Sequence, residues 1–202
     1  MLSYLDPILF PDDCEVLEVS PGRYVYPIFK NGSSSLHAND FRRLDIDEIK
    51  QVTNIEIFVR EPLDRFVSGV STFLSHNPKL DRFTTLHFVD QYLFLNRHFC
   101  PQFFWILNLQ RFTNANLTIF PLSRLSSATP NRRNQKEFNE ELYNFYKDHS
   151  KLNFYLELDK CLMNFFGRTV SFDEILNHLK TSKPEVYAEI IQRAKNLCTV
   201  LD

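Results

Sequence analysis

Two short stretches carry the side chains best suited to gripping anions. One is Lys30-Asn31-Gly32-Ser33-Ser34-Ser35; the other runs from Arg60 to Ser68. In the first, the lysine supplies a mobile point charge, the glycine lets the backbone approach a ligand closely, and three hydroxyls stand beside the amides of a helix start. Helix starts attract anions because their first N–H groups lack partners and the peptide dipoles align behind them. In the second, Arg60 can offer a phosphate two parallel N–H bonds. Ser68 follows two helical turns later, on the polar face with Asp64 and Ser71. Each stretch also has a plainer reading. The first suits a capped, serine-rich surface turn; the second suits an Arg60–Glu61 and Arg65–Asp64 surface network, which contributes little. Taken together, two such turns point to a ligand with two separate phosphates. No Gly-Lys-Ser/Thr closes a glycine-rich loop, so the pattern of an ordinary ATP or GTP kinase is missing.

The elements that must position these groups are readable from patterning. Residues 23–29 are mostly aromatic and β-branched, as in a buried strand, with Pro27 ending the ladder. Ile55 to Val59 reads as a second buried strand. Pro62 sits where a first helical turn accepts proline, and Leu63, Phe66, Val67, Val70 and Leu74 follow helical spacing, which predicts a helix over 62–75. Further helices are expected over 84–95 and 137–147, and a third core strand over 117–122. Residues 15–19 suit a short edge strand, and 123–135 a polar loop. Ser171-Phe172-Asp173-Glu174 is a capping box, and Ser182-Lys183-Pro184-Glu185 a second helix start. Strands alternating with helices predict an α/β fold: a three-layer, P-loop-like arrangement with a mainly parallel central sheet. In such folds ligands sit beyond the carboxyl ends of the strands, where both turns fall.

The two stretches together resemble the sulfotransferase superfamily, whose donor is 3′-phosphoadenosine 5′-phosphosulfate (PAPS). The family's 5′-phosphosulfate loop has the form Pro-Lys-x-x-Ser/Thr-Ser/Thr-Ser. Phe29-Lys30-Asn31-Gly32-Ser33-Ser34-Ser35 matches it except that Phe29 replaces the proline. The 3′-phosphate motif, Val-Arg-Asp/Glu-Pro-x-x-Arg-x-x-Ser, is matched at every defined position from Val59 to Ser68. More weakly, Phe88 to Leu93 followed by Asn96-Arg97-His98-Phe99-Cys100-Pro101-Gln102 looks like the carbohydrate-type (family 2) branch. The resemblance covers about residues 24–155. It implies a single domain over 1–202 with a core of about 23–155 and a helical C-terminal extension over 156–202.

By that resemblance Lys30 would stabilise the leaving 5′-phosphate and the sulfuryl oxygens. Asn31, Gly32, Ser33, Ser34 and Ser35 would hold the 5′-phosphate, and Arg60 and Ser68 the 3′-phosphate. Arg132, in a basic loop with Arg133, would close over the cofactor or grip an anionic acceptor; a solvated basic loop is the plainer reading. A hydroxyl acceptor also needs a general base, and histidine suits neutral pH. His37 and His98 are the two candidates, and each has a structural role as its alternative. No metal is called for. The acceptor implied is a hydroxyl, on a glycan by family analogy alone; the product is adenosine 3′,5′-bisphosphate. The alternative is a catalytically silent module of the same fold that binds the bisphosphate or a partner.

Composition sets the outer bounds. The chain has 202 residues, enough for one domain with a real core. Its formal net charge of −2 argues against a nucleic-acid binder. Twenty phenylalanines imply a ring-rich core. Cys14, Cys100, Cys161 and Cys198 are widely spaced, which suits neither a zinc site nor a disulfide scaffold. No apolar run approaches the roughly 20 residues needed to cross a bilayer, and the N-terminus does not read as a signal peptide. A cytoplasmic location, without membrane insertion, is the expectation.

Overall fold

The computed structural model describes residues 14–28, 30–91, 98–125, 136–189 and 192. Its centre is a six-stranded mixed sheet flanked by helices. The strands are β1 (Leu17–Ser20), β2 (Arg23–Tyr26), β3 (Arg42–Arg43), β4 (Asn54–Val59), β5 (Asn116–Pro121) and β6 (Thr169–Val170). They lie in the order β3-β1-β2-β4-β5-β6. β2, β4 and β5 pair in parallel, and β1 is antiparallel to both of its neighbours. β3 therefore runs the same way as β2, so four of the six strands are co-directional. β6 closes the other edge antiparallel to β5.

The helices are α1 (Ser33–His37), α2 (Ile46–Gln51), α3 (Pro62–His76), α4 (Arg82–Gln91), α5 (Gln102–Leu109), α6 (Lys136–Tyr146), α7 (Asn153–Met163) and α8 (Phe172–Ser182). From β2 the chain moves through α1 to β3 on one side of β2, then returns through α2 to β4 on the other. From β4 it continues outward through α3, α4 and α5 to β5. Connections of one hand that leave in opposite directions must lie on opposite faces of the sheet. The packing agrees. Leu36 of α1 joins Leu17, Val25 and Phe58 in a small cluster, while Phe66 and Val70 of α3 join Ile55, Ile57 and Ile119 in the main core. The direction in which the chain winds across the sheet thus reverses between the parallel strands β2 and β4, and this opens a crevice at their carboxyl ends.

The two faces of the sheet differ in chemistry. Ile55, Ile57, Leu117 and Ile119 point into the main core and are fully buried. The residues alternating with them include Asn54, Glu56 and Thr118. Arg23 pairs with Glu56 at 2.8 Å, and Thr118 donates to Asn54 and shares a hydroxyl bond with Thr169. Polar ladders thus stand where the thinner layer leaves the sheet less covered among the described residues.

The phenylalanine-rich composition appears as edge-on packing. Phe66, fully buried, has ring centroids 5.8 Å from Phe99, 5.1 Å from Tyr146 and 5.2 Å from Tyr155. Such pairs add about 0.5–1.5 kcal/mol each beyond area burial. These rings draw α3, α6 and α7 together.

Several expected elements are present with small shifts: β1 starts two residues later, β2 stops before Pro27, and α3 extends to His76. β1 is not the edge strand expected, because β3 pairs with its outer side. Residues 156–189, read from sequence as an extension, contribute β6 to the sheet and Leu158, Ile175, Leu179 and Val186 to the main core. α5 and α7 have no counterpart among the expected helices.

One glycine has its reason in packing. A Cβ built on Gly69 would stand 2.0 Å from the carbonyl oxygen of His98 and 2.9 Å from Cβ of Phe99. The obstacle is backbone, which cannot rotate away. Gly69→Ala should destabilise the fold by about 1–3 kcal/mol, lowering the thermal midpoint by roughly 2–4 °C per kcal/mol in a chain of this size. A melting curve matching the parent's would show that α3 and the 98–99 segment are not in contact.

Candidate functional site

The two anion-gripping turns follow β2 and β4, which pair in parallel. They therefore lie on one end of the sheet, on either side of the crevice. The first turn is built on two left-handed residues. Lys30 has φ 68° and Gly32, the N-cap of α1, has φ 79°. Glycine takes that conformation freely; lysine does so only when its surroundings hold it. Two contacts do so. Lys30 Nζ donates to Thr72 Oγ1 of α3 at 2.6 Å, and Thr72 Oγ1 donates to the carbonyl of Ser68 at 3.1 Å. Asn31, 1% exposed, sends its Nδ2 to the carbonyl of Phe58 on β4 at 2.7 Å and to Gln102 Oε1 at 2.5 Å. Both Nδ2 protons are thus spent on pinning the turn to the neighbouring strand and to Gln102. The amides of Gly32, Ser33 and Ser34 meet no backbone acceptor among the described residues, whereas that of Ser35 returns to Gly32. Ser34 is exposed, Ser35 half-buried and Ser33 buried.

The second turn starts α3. Glu61 caps the helix by accepting from the amide of Asp64 at 2.7 Å, and Pro62 occupies the first turn. The Arg60 backbone is fixed on both sides: its N–H donates to Gln102 Oε1 and its carbonyl accepts from Gln102 Nε2, each at 2.9 Å. Its guanidinium is partly buried and makes no hydrogen bond or ion pair among the described residues. Burial lowers its pKa from the ordinary value, with the charges of Asp64 and Glu61 opposing. A desolvated cation without a carboxylate partner is a favourable place for an anion. Ser68 is half-buried one turn before Thr72. The turns are thus joined twice, by Lys30–Thr72 and by Asn31–Gln102–Arg60.

Gln102 is 0% exposed and is itself held. Asp159 of α7, 1% exposed, accepts from the Gln102 amide at 2.8 Å, Gln102 Nε2 at 3.1 Å and the Phe103 amide at 2.9 Å. Burial pushes the Asp159 carboxyl above its ordinary range; the charge of Arg65 and these N–H donors pull the other way. Arg65, 1% exposed, donates to the carbonyl of Cys100 and serves the scaffold rather than the crevice. Gln102, Asp159 and Thr72 received no role from the sequence. The signal available for Asp159 was an acid at helical spacing from the apolar Tyr155, Leu156 and Leu162, whereas Glu157 and Lys160 beside it fall on another face.

The remaining candidates are dispersed. His37, at the end of α1, pairs through Nε2 with Glu15 at 2.7 Å, and Glu15 also pairs with Arg43. His98 packs its backbone on Gly69, next to Ser68, and its ring centroid lies 6.2 Å from that of His76, one turn beyond Thr72. Arg132 lies outside the described residues, as do 92–97 of the weaker family-like stretch. Among the described residues no group of three or more metal-ligating side chains occurs, and no helix is long and apolar enough to cross a membrane. A cavity of about 480 Å³ opens not at the crevice but beside the far end of α3. The phosphate reading rests on the donors at the strand ends rather than on cavity size. No family model, curated protein or solved structure matches the chain.

Replacing Gln102 with leucine removes the link between the turns and leaves Asn31, Arg60 and Asp159 without their partner. The expected loss is about 3 kcal/mol or more, with the Arg60 amide exchanging its hydrogen faster. Unchanged exchange at Arg60 would show that the turns hold their shape without it.

Proposed function

We propose that the chain is a PAPS-dependent sulfotransferase acting on a hydroxyl acceptor, by family analogy a glycan. The observation that carries this is the pairing of two anion-ready turns at the carboxyl ends of adjacent parallel strands, one with a lysine and serine hydroxyls, the other with a partly buried arginine that makes no ion pair among the described residues. Chain spacing and donor chemistry both suit a nucleotide phosphorylated at two positions. A P-loop-like fold and a cytoplasmic location belong to the same proposal. The buried free thiols Cys14, Cys100 and Cys161 suit a reducing compartment.

In this reading the donor brings an activated sulfuryl group and leaves as adenosine 3′,5′-bisphosphate. The chain's own residues do the rest by position and charge. The amides of Gly32 to Ser34 and the hydroxyls of Ser34 and Ser35 hold the 5′-phosphate. Arg60, with Ser68, holds the 3′-phosphate through charge-assisted bonds. Lys30, parked on Thr72 at 2.6 Å, is within reach of both turns and offsets the negative charge that develops on the departing phosphate oxygen. A histidine accepts the proton of the acceptor hydroxyl. His98 is the better placed of the two, because it packs where α3 carries Ser68 and Thr72, while Nε2 of His37 is committed to Glu15.

Thermal shift tests the reading directly. Adenosine 3′,5′-bisphosphate should stabilise the chain well beyond ADP or ATP; equal shifts would leave only a generic nucleotide site. Arg60→Ala should weaken bisphosphate binding by about 2–3 kcal/mol, on the order of a hundredfold. Lys30→Ala should cut labelled-sulfate transfer by about 10²–10³ while changing binding much less. A stabilising bisphosphate with no transfer to any acceptor would favour the silent binding module.

A further inference from the structure

Ser68, Thr72 and His76 stand in one row of α3 at a spacing of four residues, which puts neighbouring side chains about 5–6 Å apart. Lys30 is held on the middle member, its Nζ 2.6 Å from Thr72 Oγ1. His76, the last member, is exposed and makes no hydrogen bond or ion pair among the described residues. Its ring centroid lies 6.2 Å from that of His98, which is half-buried and packs its backbone on Gly69, beside Ser68. We propose that His76 is a proton relay, which takes from His98 the proton of the acceptor hydroxyl and hands it to solvent. It touches no substrate and acts only through His98, so it is a positioning residue for the proton. The relay rests on the sulfotransferase reading above.

In the step it serves, the acceptor oxygen bonds to sulfur as the bond from sulfur to the 5′-phosphate oxygen breaks, and that electron pair leaves with the phosphate. The acceptor proton goes to one ring nitrogen of His98. The crevice already carries the charges of Lys30 and Arg60, so a third positive charge retained on a half-buried imidazole is costly. An imidazole has two nitrogens, and His98 can accept at one while it releases from the other. Centroids at 6.2 Å bring facing nitrogens of the two rings to roughly 4 Å, a gap that one water or a small ring rotation closes. His76 suits the receiving end for two reasons. It lies in the last turn of α3, where the carbonyl end of a helix favours a positive charge. It is also exposed, so bulk water and buffer can collect the proton from it. Two imidazoles would suit a transition metal as well, but among the described residues no third ligand stands with them.

Rapid-mixing kinetics on the full chain test the relay. Labelled PAPS is mixed with the protein and an excess of acceptor, with chondroitin, heparosan and N-acetyllactosamine as the probes. A chelator is present throughout, so that a metal held by the two rings cannot mimic the effect. A relay acts after the sulfuryl group has moved. His76→Gln should therefore leave the first turnover within about twofold of the parent and slow later turnovers about tenfold. Added imidazole, which carries protons from His98 in place of the lost ring, should restore most of the later rate. His98→Ala, by contrast, should slow the first turnover itself. The exposed position of His76 keeps the fold, which an unchanged melting curve and an unchanged thermal shift with adenosine 3′,5′-bisphosphate check. Parent-like later turnovers in His76→Gln, a first turnover slowed as much as the later ones, or a loss that imidazole does not relieve would overturn the relay and leave the sulfotransferase reading in place. Failure of the parent to transfer sulfate to any probe would remove that reading, and the relay with it.

Discussion

The arrangement of the crevice depends on one side chain, the carboxamide of Gln102. Its oxygen accepts from the Arg60 amide and the Asn31 carboxamide, and its nitrogen donates to the Arg60 carbonyl and to Asp159. A carboxamide has two donors and one oxygen with two lone pairs, and here all four positions are taken. Because the group is fully buried, water cannot substitute for any of these bonds, and each is stronger than it would be at the surface. The geometry of one turn is therefore set by the other. Two turns that share a ligand would gain from this prior ordering, since loose turns would have to be ordered at the moment of binding.

The topology explains why such a link is possible. α1 and α3 depart onto opposite faces, so the chain ends of β2 and β4 are left bare of their own helices and face each other. The cap from Glu61 and the proline after it start α3 without delay, which keeps Arg60 at the lip of the crevice. Gly69 lets the 98–101 segment lie against α3, and that segment delivers Gln102 to the gap. Ring packing around Phe66 holds the same helix from behind. Packing, backbone permissiveness and buried hydrogen bonds thus converge on one short stretch of α3.

What could be read from sequence was local. The proline and capping acid of α3, the Ser171–Glu174 box, the alternating strands and the glycine-serine turn each announce themselves within a few residues, and each is present. What could not be read was distant or faint. Gln102 meets Asn31 across 71 residues and Asp159 across 57, separations over which spacing says nothing. α5 carries Phe103, Phe104, Ile106 and Leu109 all buried, with little polar contrast to reveal a helical period. β3 and β6 are two residues each, too short for an alternation to register. The position of Thr72 relative to Lys30 follows from the sheet order, which no local pattern encodes.

The same two short strands have a consequence for solubility. Among the described residues they are the outermost members of the sheet, so β3 and β6 each offer another chain only a two-residue row of backbone groups. At one border both residues are arginines, engaged with Glu15, Glu18 and Glu48. Strand-by-strand addition of a second molecule would have to strip those ion pairs for very few new bonds. In a chain this rich in phenylalanine, short and charge-covered edges of this kind disfavour edge-to-edge joining of neighbours.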